Sequence, residues 1–148
     1  MKRVRRILHP TDFSRASRAA FAKAVEMAGA NGAELVVAHV LNPVVPMVGD
    51  GYVVPKVYED IEASARAGAK KELDRLLARA KKTGVRARGV LLEGATHEQI
   101  TRVAKSARAD LIVIGTHGRT GLAKFFLGSV AGRVVSTAAC PVLTVRGK

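Results

Sequence analysis

Between Leu111 and Ser136 the chain reads LIVIGTHGRTGLAKFFLGSVAGRVVS, and this stretch restricts the fold more than any other. Leu111 to Ile114 is a short apolar run of the kind a buried strand requires. Gly115, Gly118 and Gly121 follow, then Gly128-Ser129, then Val130, Val134 and Ala138 at helical spacing. Glycines permit positive φ and let backbone N–H groups approach an anion with no Cβ in the way. A helix starting near Ser129 adds unpaired N–H groups and the positive end of its dipole. Strand, glycine-rich loop and helix N-terminus together are suited to holding a phosphate.

Two familiar phosphate motifs do not fit. A P-loop needs G-x4-G-K-[ST], and no Gly-Lys-[Ser/Thr] tripeptide occurs. A dinucleotide fingerprint needs G-x-G-x-x-G, whereas Gly115, Gly118 and Gly121 are spaced G-x2-G-x2-G. The pattern that does fit is G-x2-G-x9-G-S, over Gly115, Gly118, Gly128 and Ser129.

The rest of the chain supplies the setting. Val4 to Leu8 reads as a first strand, ended by His9-Pro10 because proline cannot continue a ladder. Thr11 to Ser14 turns into a helix, with Asp12 and Ser14 as N-cap candidates. That helix runs to about Gly29 on an apolar face of Phe21, Ala24, Val25 and Ala28, and Asn31-Gly32 stops it. Leu35 to Leu41 is a second strand, apolar enough to be buried on both faces. Residues 43–58, with three prolines and Gly49-Asp50-Gly51, read as a long irregular loop suited to covering a ligand or meeting a neighbouring subunit. Glu59 to Lys82 is a second helix with a stripe of Ile61, Ala65, Ala69, Leu73, Leu76, Leu77 and Ala80, and Gly84 follows it. Arg86 to Leu92 is a third strand. Glu93 to Thr96 turns into a third helix facing inward through Ile100, Val103, Ala104 and Ala107. After the fourth helix, Cys140-Pro141 breaks the chain before a last strand, Val142 to Val145. Five strands alternating with four helices imply an α/β fold with a parallel sheet covered on both faces. The 148 residues suit a single domain, 1–148, with room for a real core.

Composition excludes several classes. Trp is absent and aromatics are few, so the core must be mostly Ala, Val, Leu and Ile. The single cysteine, Cys140, excludes an internal disulfide, fits a reducing cytoplasm, and reads as a buried inert thiol. No apolar run approaches the ~20 residues of a membrane span, and MKRVRRIL lacks the apolar region of a secretory leader. Against 12 acidic side chains stand 25 basic ones, a net charge of +13 that favours anionic partners. These residues are spread along the chain, so a solvated basic surface is the preferred reading over a dedicated nucleic-acid face.

In open parallel sheets, ligands sit beyond the carboxyl ends of the strands where strand order reverses. Asp12, Val40 and Gly115 fall at such ends. Asp12 can accept from a ribose hydroxyl or a base amino group, cap a helix, or do both. Val40 can offer its backbone to a purine edge or be an ordinary core valine. Gly115 and Gly118 would approach a ribose or α-phosphate, and Gly128, Ser129 and the next amide would receive the outer phosphates. The competing reading is loop geometry without a ligand. Arg119, Lys124 and Arg133 could neutralise phosphate charge, and His117 reads as a surface or hydrogen-bonding histidine. His9, His39 and His97 lack metal-ligand spacing, and no catalytic nucleophile with a partner base is legible. Metal-assisted phosphoryl transfer would need a carboxylate from outside the glycine stretch, such as Asp12.

Over nearly its whole length the chain resembles the ATP-binding branch of the universal stress protein family. The resemblance rests on ILHPTDFS, LVVAHVL, IVIGTHGRTGLAKFFLGSVAGRVV and CPVLTVR. It implies a flavodoxin-like sheet of order 3-2-1-4-5 and an ATP site at Asp12, Val40, Gly115, Gly118, Gly128, Ser129 and Val130. The neighbours Pro10, Thr11, Thr116 and Arg119 are counted with that site. Mg²⁺ or Mn²⁺ would travel with the phosphates rather than occupy a protein metal site. It further implies a cytoplasmic homodimer pairing through Val142 to Val145, and a regulatory protein with slow or no hydrolysis. A weak ATPase or phosphotransferase, a basic nucleic-acid binder and a flavin protein are the alternatives.

Overall fold

The computed structural model describes residues 2–42, 55–116 and 127–147. Five strands, β1 (Arg6–Pro10), β2 (Glu34–Leu41), β3 (Ala87–Glu93), β4 (Leu111–Gly115) and β5 (Val142–Val145), form one parallel sheet of order β3-β2-β1-β4-β5. Four helices, α1 (Ser17–Asn31), α2 (Pro55–Lys82), α3 (Thr96–Ser106) and α4 (Ser129–Thr137), connect them. This is the flavodoxin-like α/β architecture, in the order implied by the resemblance.

Alternation along the strands builds a core on each face. Ile7, Leu35, Val37 and Val113 pack with Phe21 and Ala24 of α1 and with Leu73 and Ala80 of α2. Leu8, Val36, Ile112 and Ile114 pack with Ile100 and Val103 of α3 and with Val134 of α4. Ala, Val, Leu and Ile dominate, as the scarcity of aromatics requires.

Four local readings are corrected. First, β1 starts and ends two residues later than expected and includes Pro10, opposite Ala38. Proline fits there because β1 pairs with β4 only as far as Leu8 opposite Ile112. A continued ladder would send the residue-10 N–H to the Val113 carbonyl; the His9 Nδ1 lies 2.9 Å from that oxygen instead. Second, the formal N-cap of α1 is Ala16, with no side-chain cap. Ser14 acts one turn earlier, its Oγ accepting the Ser17 N–H at 3.2 Å. Asp12 Oδ1 accepts the Ser14 N–H at 2.9 Å. The helix continues to Asn31 and ends at Gly32 with φ 61°.

Third, α2 begins at Pro55, so Val57 and Tyr58 are helical rather than part of a loop. Proline suits a first helical turn, where its missing N–H has no intrahelical use. Residues 43–54 of that expected loop lie outside the described residues. Fourth, the apolar stripe of α2 is only half used: Ala69, Leu73 and Ala80 are buried, while Ile61 is 42% exposed and Ala65 is also exposed. Length explains this. Twenty-eight helical residues span about 42 Å, whereas seven strand residues span about 23 Å, so α2 overhangs the sheet.

Where α2 does meet the sheet, contact is close. A Cβ on Gly89 of β3 would lie 2.9 Å from Leu73 Cδ2 and 3.0 Å from Leu77 Cδ1. Gly89→Val is therefore expected to lower stability by about 1–3 kcal/mol through overpacking. A urea midpoint equal to that of the parent chain would mean that both leucines swing clear.

Candidate functional site

Strand order reverses between β1 and β4, and a cavity of about 1090 Å³ opens beyond their carboxyl ends. Its wall includes Pro10, Thr11 and Asp12 after β1, Val40 of β2, Gly115 and Thr116 at the end of β4, and Gly128, Ser129 and Val130 at the start of α4. The fold thus brings nine of the eleven expected site residues to one cavity. The other two, Gly118 and Arg119, lie outside the described residues, as do His117, Gly121 and Lys124. Arg133 is described, is exposed on α4, and is not part of the wall.

The backbone determines what this wall can do. Thr11 N–H donates to the Ala38 carbonyl at 2.8 Å, so alternate β2 residues address β1. Val40 is the next of these after Ala38, and β1 has stopped pairing at Pro10. Its N–H and C=O therefore face the cavity instead of a strand. Thr11 itself is spent on structure. Its hydroxyl lies 3.1 Å from the Ser17 hydroxyl and accepts the Phe13 N–H at 3.1 Å. Its carbonyl lies 2.7 Å from His39 Nδ1.

On the β4 side, Thr116 N–H donates to the Val145 carbonyl at 3.0 Å, and the Thr116 carbonyl accepts the Gly128 N–H at 2.6 Å. This pins the entry of α4 to the end of β4. It also commits the Gly128 amide, which the sequence had suggested for phosphate. The α4 ladder starts with Gly132 N–H to the Gly128 carbonyl at 2.8 Å. The amides of Ser129, Val130 and Ala131 are first-turn donors without intrahelical acceptors. Among the described residues the wall contains no Lys or Arg, so these amides and the α4 dipole are its positive features. Asp12 and Glu72 are its described carboxylates.

Several wall residues were not anticipated. Phe13 adopts φ 61°, rare for a non-glycine residue, and its ring lies 4.3 Å from that of His39, centroid to centroid. Helix α2 contributes Ser64, Gly68, Ala69 and Glu72. Their sequence trace is the run of small residues on α2, which reads equally well as helix packing. Cys140, half-buried, has its thiol pKa raised by burial and by the charge of Asp110. Among the described residues no three His, Cys, Asp or Glu side chains form a group able to hold a metal ion. No described helix is long and apolar enough to cross a membrane.

A model of the Universal stress protein family matches residues 3–146. The chain belongs to the universal stress protein family. Universal stress protein MJ0531 of Methanocaldococcus jannaschii is 36% identical over 144 residues, covering 96% of this chain and 82% of that protein. Among solved structures, protein MJ0577 of the same archaeon superposes with a TM-score of 0.87 at 25% identity, over 99% of both chains. A universal stress protein solved in complex with cAMP superposes with a TM-score of 0.73 at 25% identity, over 99% of this chain and all of that one.

Proposed function

We propose that this universal stress protein binds an adenine nucleotide, ATP, in the switch-point cavity and acts as a nucleotide-dependent regulatory protein with slow or no hydrolysis. The observation that carries the reading is the convergence of Val40 backbone, β4 end and α4 N-terminus on one cavity of nucleotide size. In this reading the purine edge meets the Val40 N–H and C=O, and Asp12 accepts from the ribose. Gly115 and Thr116 approach the ribose and α-phosphate, with Gly118 and Arg119 from the glycine stretch. The outer phosphates meet the Ser129 and Val130 amides and the Ser129 hydroxyl, while Gly128 positions them. Pro10 and Thr11 shape the floor. Mg²⁺ or Mn²⁺ arrives with the triphosphate. The cAMP complex of a relative supports the adenine part of this reading.

Two copies pair through the edge strand β5, whose four residues are only half-buried in the single chain. Sedimentation should give twice the chain mass, and a monomer at micromolar concentration would overturn that part.

Denaturing the purified protein and identifying the released nucleotide tests the central claim. ATP among the products is the expected result. If none is released, titration with ATP and Mg²⁺ follows, and no binding there overturns the reading. Sustained turnover that Asp12→Ala abolishes while ATP still binds would make the protein an enzyme instead.

A further inference from the structure

Basic residues that are scattered in sequence gather at one edge of the molecule. A parallel sheet places every strand N-terminus, and every connecting helix C-terminus, on the edge opposite the cavity. Arg3 and Arg5 precede β1, Lys82 ends α2, Arg86 precedes β3, Arg88 lies within it, and Arg108 follows α3; all six are exposed. Hydrogen bonds tie these segments together. Arg3 Nη2 and Arg86 Nη2 each reach the end of α1, at the Asn31 and Gly32 carbonyls, both at 3.4 Å. Arg5 and Arg6 N–H both donate to Asp110 Oδ2, at 2.8 and 3.0 Å.

Part of this charge has a structural role, because cations favour the negative ends of helix dipoles. Arg6 and Arg88 are also paired with Glu34, at 2.9 and 3.2 Å. The remainder exceeds what the edge requires. Arg3, Arg5, Lys82, Arg86 and Arg108 have no ion-pair partner among the described residues. The edge's carboxylates, Glu34 and Asp110, are already engaged, and Glu26 of α1 is held by Lys23. Most other carboxylates, among them Asp12, Glu62, Glu93 and Glu98, lie toward the cavity edge. Among the described residues, carboxylates are therefore sparser at the arginine-rich edge than at the cavity edge.

We propose that this arginine-rich edge binds the phosphate backbone of double-stranded nucleic acid, independently of base sequence. Exposed guanidinium groups match phosphodiester oxygens. The segments that carry them contain no Phe, Tyr or Trp, so they offer no platform for stacking unpaired bases. Nor do they carry an exposed large hydrophobic residue to insert into a membrane. Val57 and Ile61 lie at the other end of α2 and Leu127 precedes α4; toward the arginine-rich edge only Val135, near the end of α4, is a large exposed hydrophobic residue among those described, and a lone valine is too little to anchor a membrane. Contacts of this kind read charge and shape alone.

A short fluorescent DNA duplex of arbitrary sequence, titrated with the full chain at several salt concentrations, tests the proposal. With about four phosphates neutralised, a rise from roughly 50 to roughly 200 mM salt should weaken binding roughly 150-fold. In the triple variant Arg5→Gln, Arg86→Gln, Arg108→Gly the logarithmic salt slope should fall by about 2.7. ATP affinity should stay unchanged, and the thermal midpoint should move only slightly, because the lost Arg86 contact to the Gly32 carbonyl and the relieved backbone at residue 108 act in opposite directions. Arg108 has φ 54°, so glycine there removes charge while relieving the backbone. If the triple variant fails to fold, Arg108→Gly alone should lower the slope by about 0.9. No duplex binding at low salt, a salt slope that these variants leave intact, or tighter binding to phosphatidylserine vesicles than to the duplex would each overturn the proposal.

Discussion

Acidification from pH 6.5 to pH 4 is expected to remove about 3 kcal/mol of stability through His9 alone. Its side chain is fully buried at the end of β1, 5.8 Å from the Phe21 ring, centroid to centroid. Nδ1 is 2.9 Å from the Val113 carbonyl, and Nε2 has no hydrogen-bond partner among the described residues. Burial disfavours the imidazolium and lowers the pKa from 6.5 to about 4; the Val113 hydrogen bond and the Asp12 charge oppose this without overcoming it. Above pH 6.5 both folded and unfolded chains hold this histidine neutral. Below it the unfolded chain takes up a proton that the folded chain refuses until pH 4. Stability must therefore fall across that window and level off beneath it, as far as His9 is concerned.

Glu34 titrates lower. Burial raises its pKa, but the Arg88 hydrogen bond and the charges of Arg6 and Arg88 outweigh burial and leave it below 4.5. Its stabilisation disappears only as pH falls through that depressed value, so the upper part of the window belongs to the histidine. Urea unfolding of the parent chain and of His9→Asn, compared point by point, isolates the contribution. Asparagine can still donate to Val113 and does not titrate. The parent curve should drop relative to the variant by about 1 kcal/mol per pH unit between pH 6 and 4.5. Parallel curves would show that His9 is protonated in the folded state.

His9 also illustrates where the sequence stopped informing. The element pattern was legible because each segment carries its own period, such as Leu35 to Leu41 for a buried strand and Ile100, Val103, Ala104 for a helix face. Such periods depend on neighbours close in sequence. That a His9 ring nitrogen takes the place of the N–H that residue 10, a proline, lacks depends on the β1–β4 register, which joins residues more than 100 positions apart. The overhang of α2 likewise follows from comparing a helix length with a strand length, not from the stripe itself. Asp12, Val40 and Gly115 could be placed at strand ends because parallel sheets put ligands there. Phe13 and His39 could not, since a phenylalanine at φ 61° contradicts local preference and a strand histidine looks like any other. Charge shows the same limit. Arg5, Arg86 and Arg108 appear dispersed until the topology puts strand starts and helix ends on a common edge.

In the proposed nucleotide site, Ser129→Pro is expected to weaken ATP binding roughly 100-fold or more while leaving the fold intact. The substitution removes two donors, the amide and the hydroxyl. Each hydrogen bond to a charged group is worth about 1.5–3 kcal/mol. Helix α4 tolerates the change because Ser129 is its first residue, where the amide has no intrahelical acceptor. Gly128 tolerates it as well: φ −55° and ψ 152° already lie in the extended region that a residue before proline prefers. The Gly128 N–H keeps its bond to the Thr116 carbonyl, so the junction between β4 and α4 remains pinned. Ser129→Ala removes only the hydroxyl and should weaken ATP binding roughly 10-fold. Adenosine provides the control, because without phosphates it should bind parent and both variants equally. If Ser129→Pro lowered the affinity for adenosine as much as for ATP, the cavity rather than a phosphate contact would have been damaged. If it altered neither, the α4 N-terminus would serve to fix the end of β4 and not to hold phosphate.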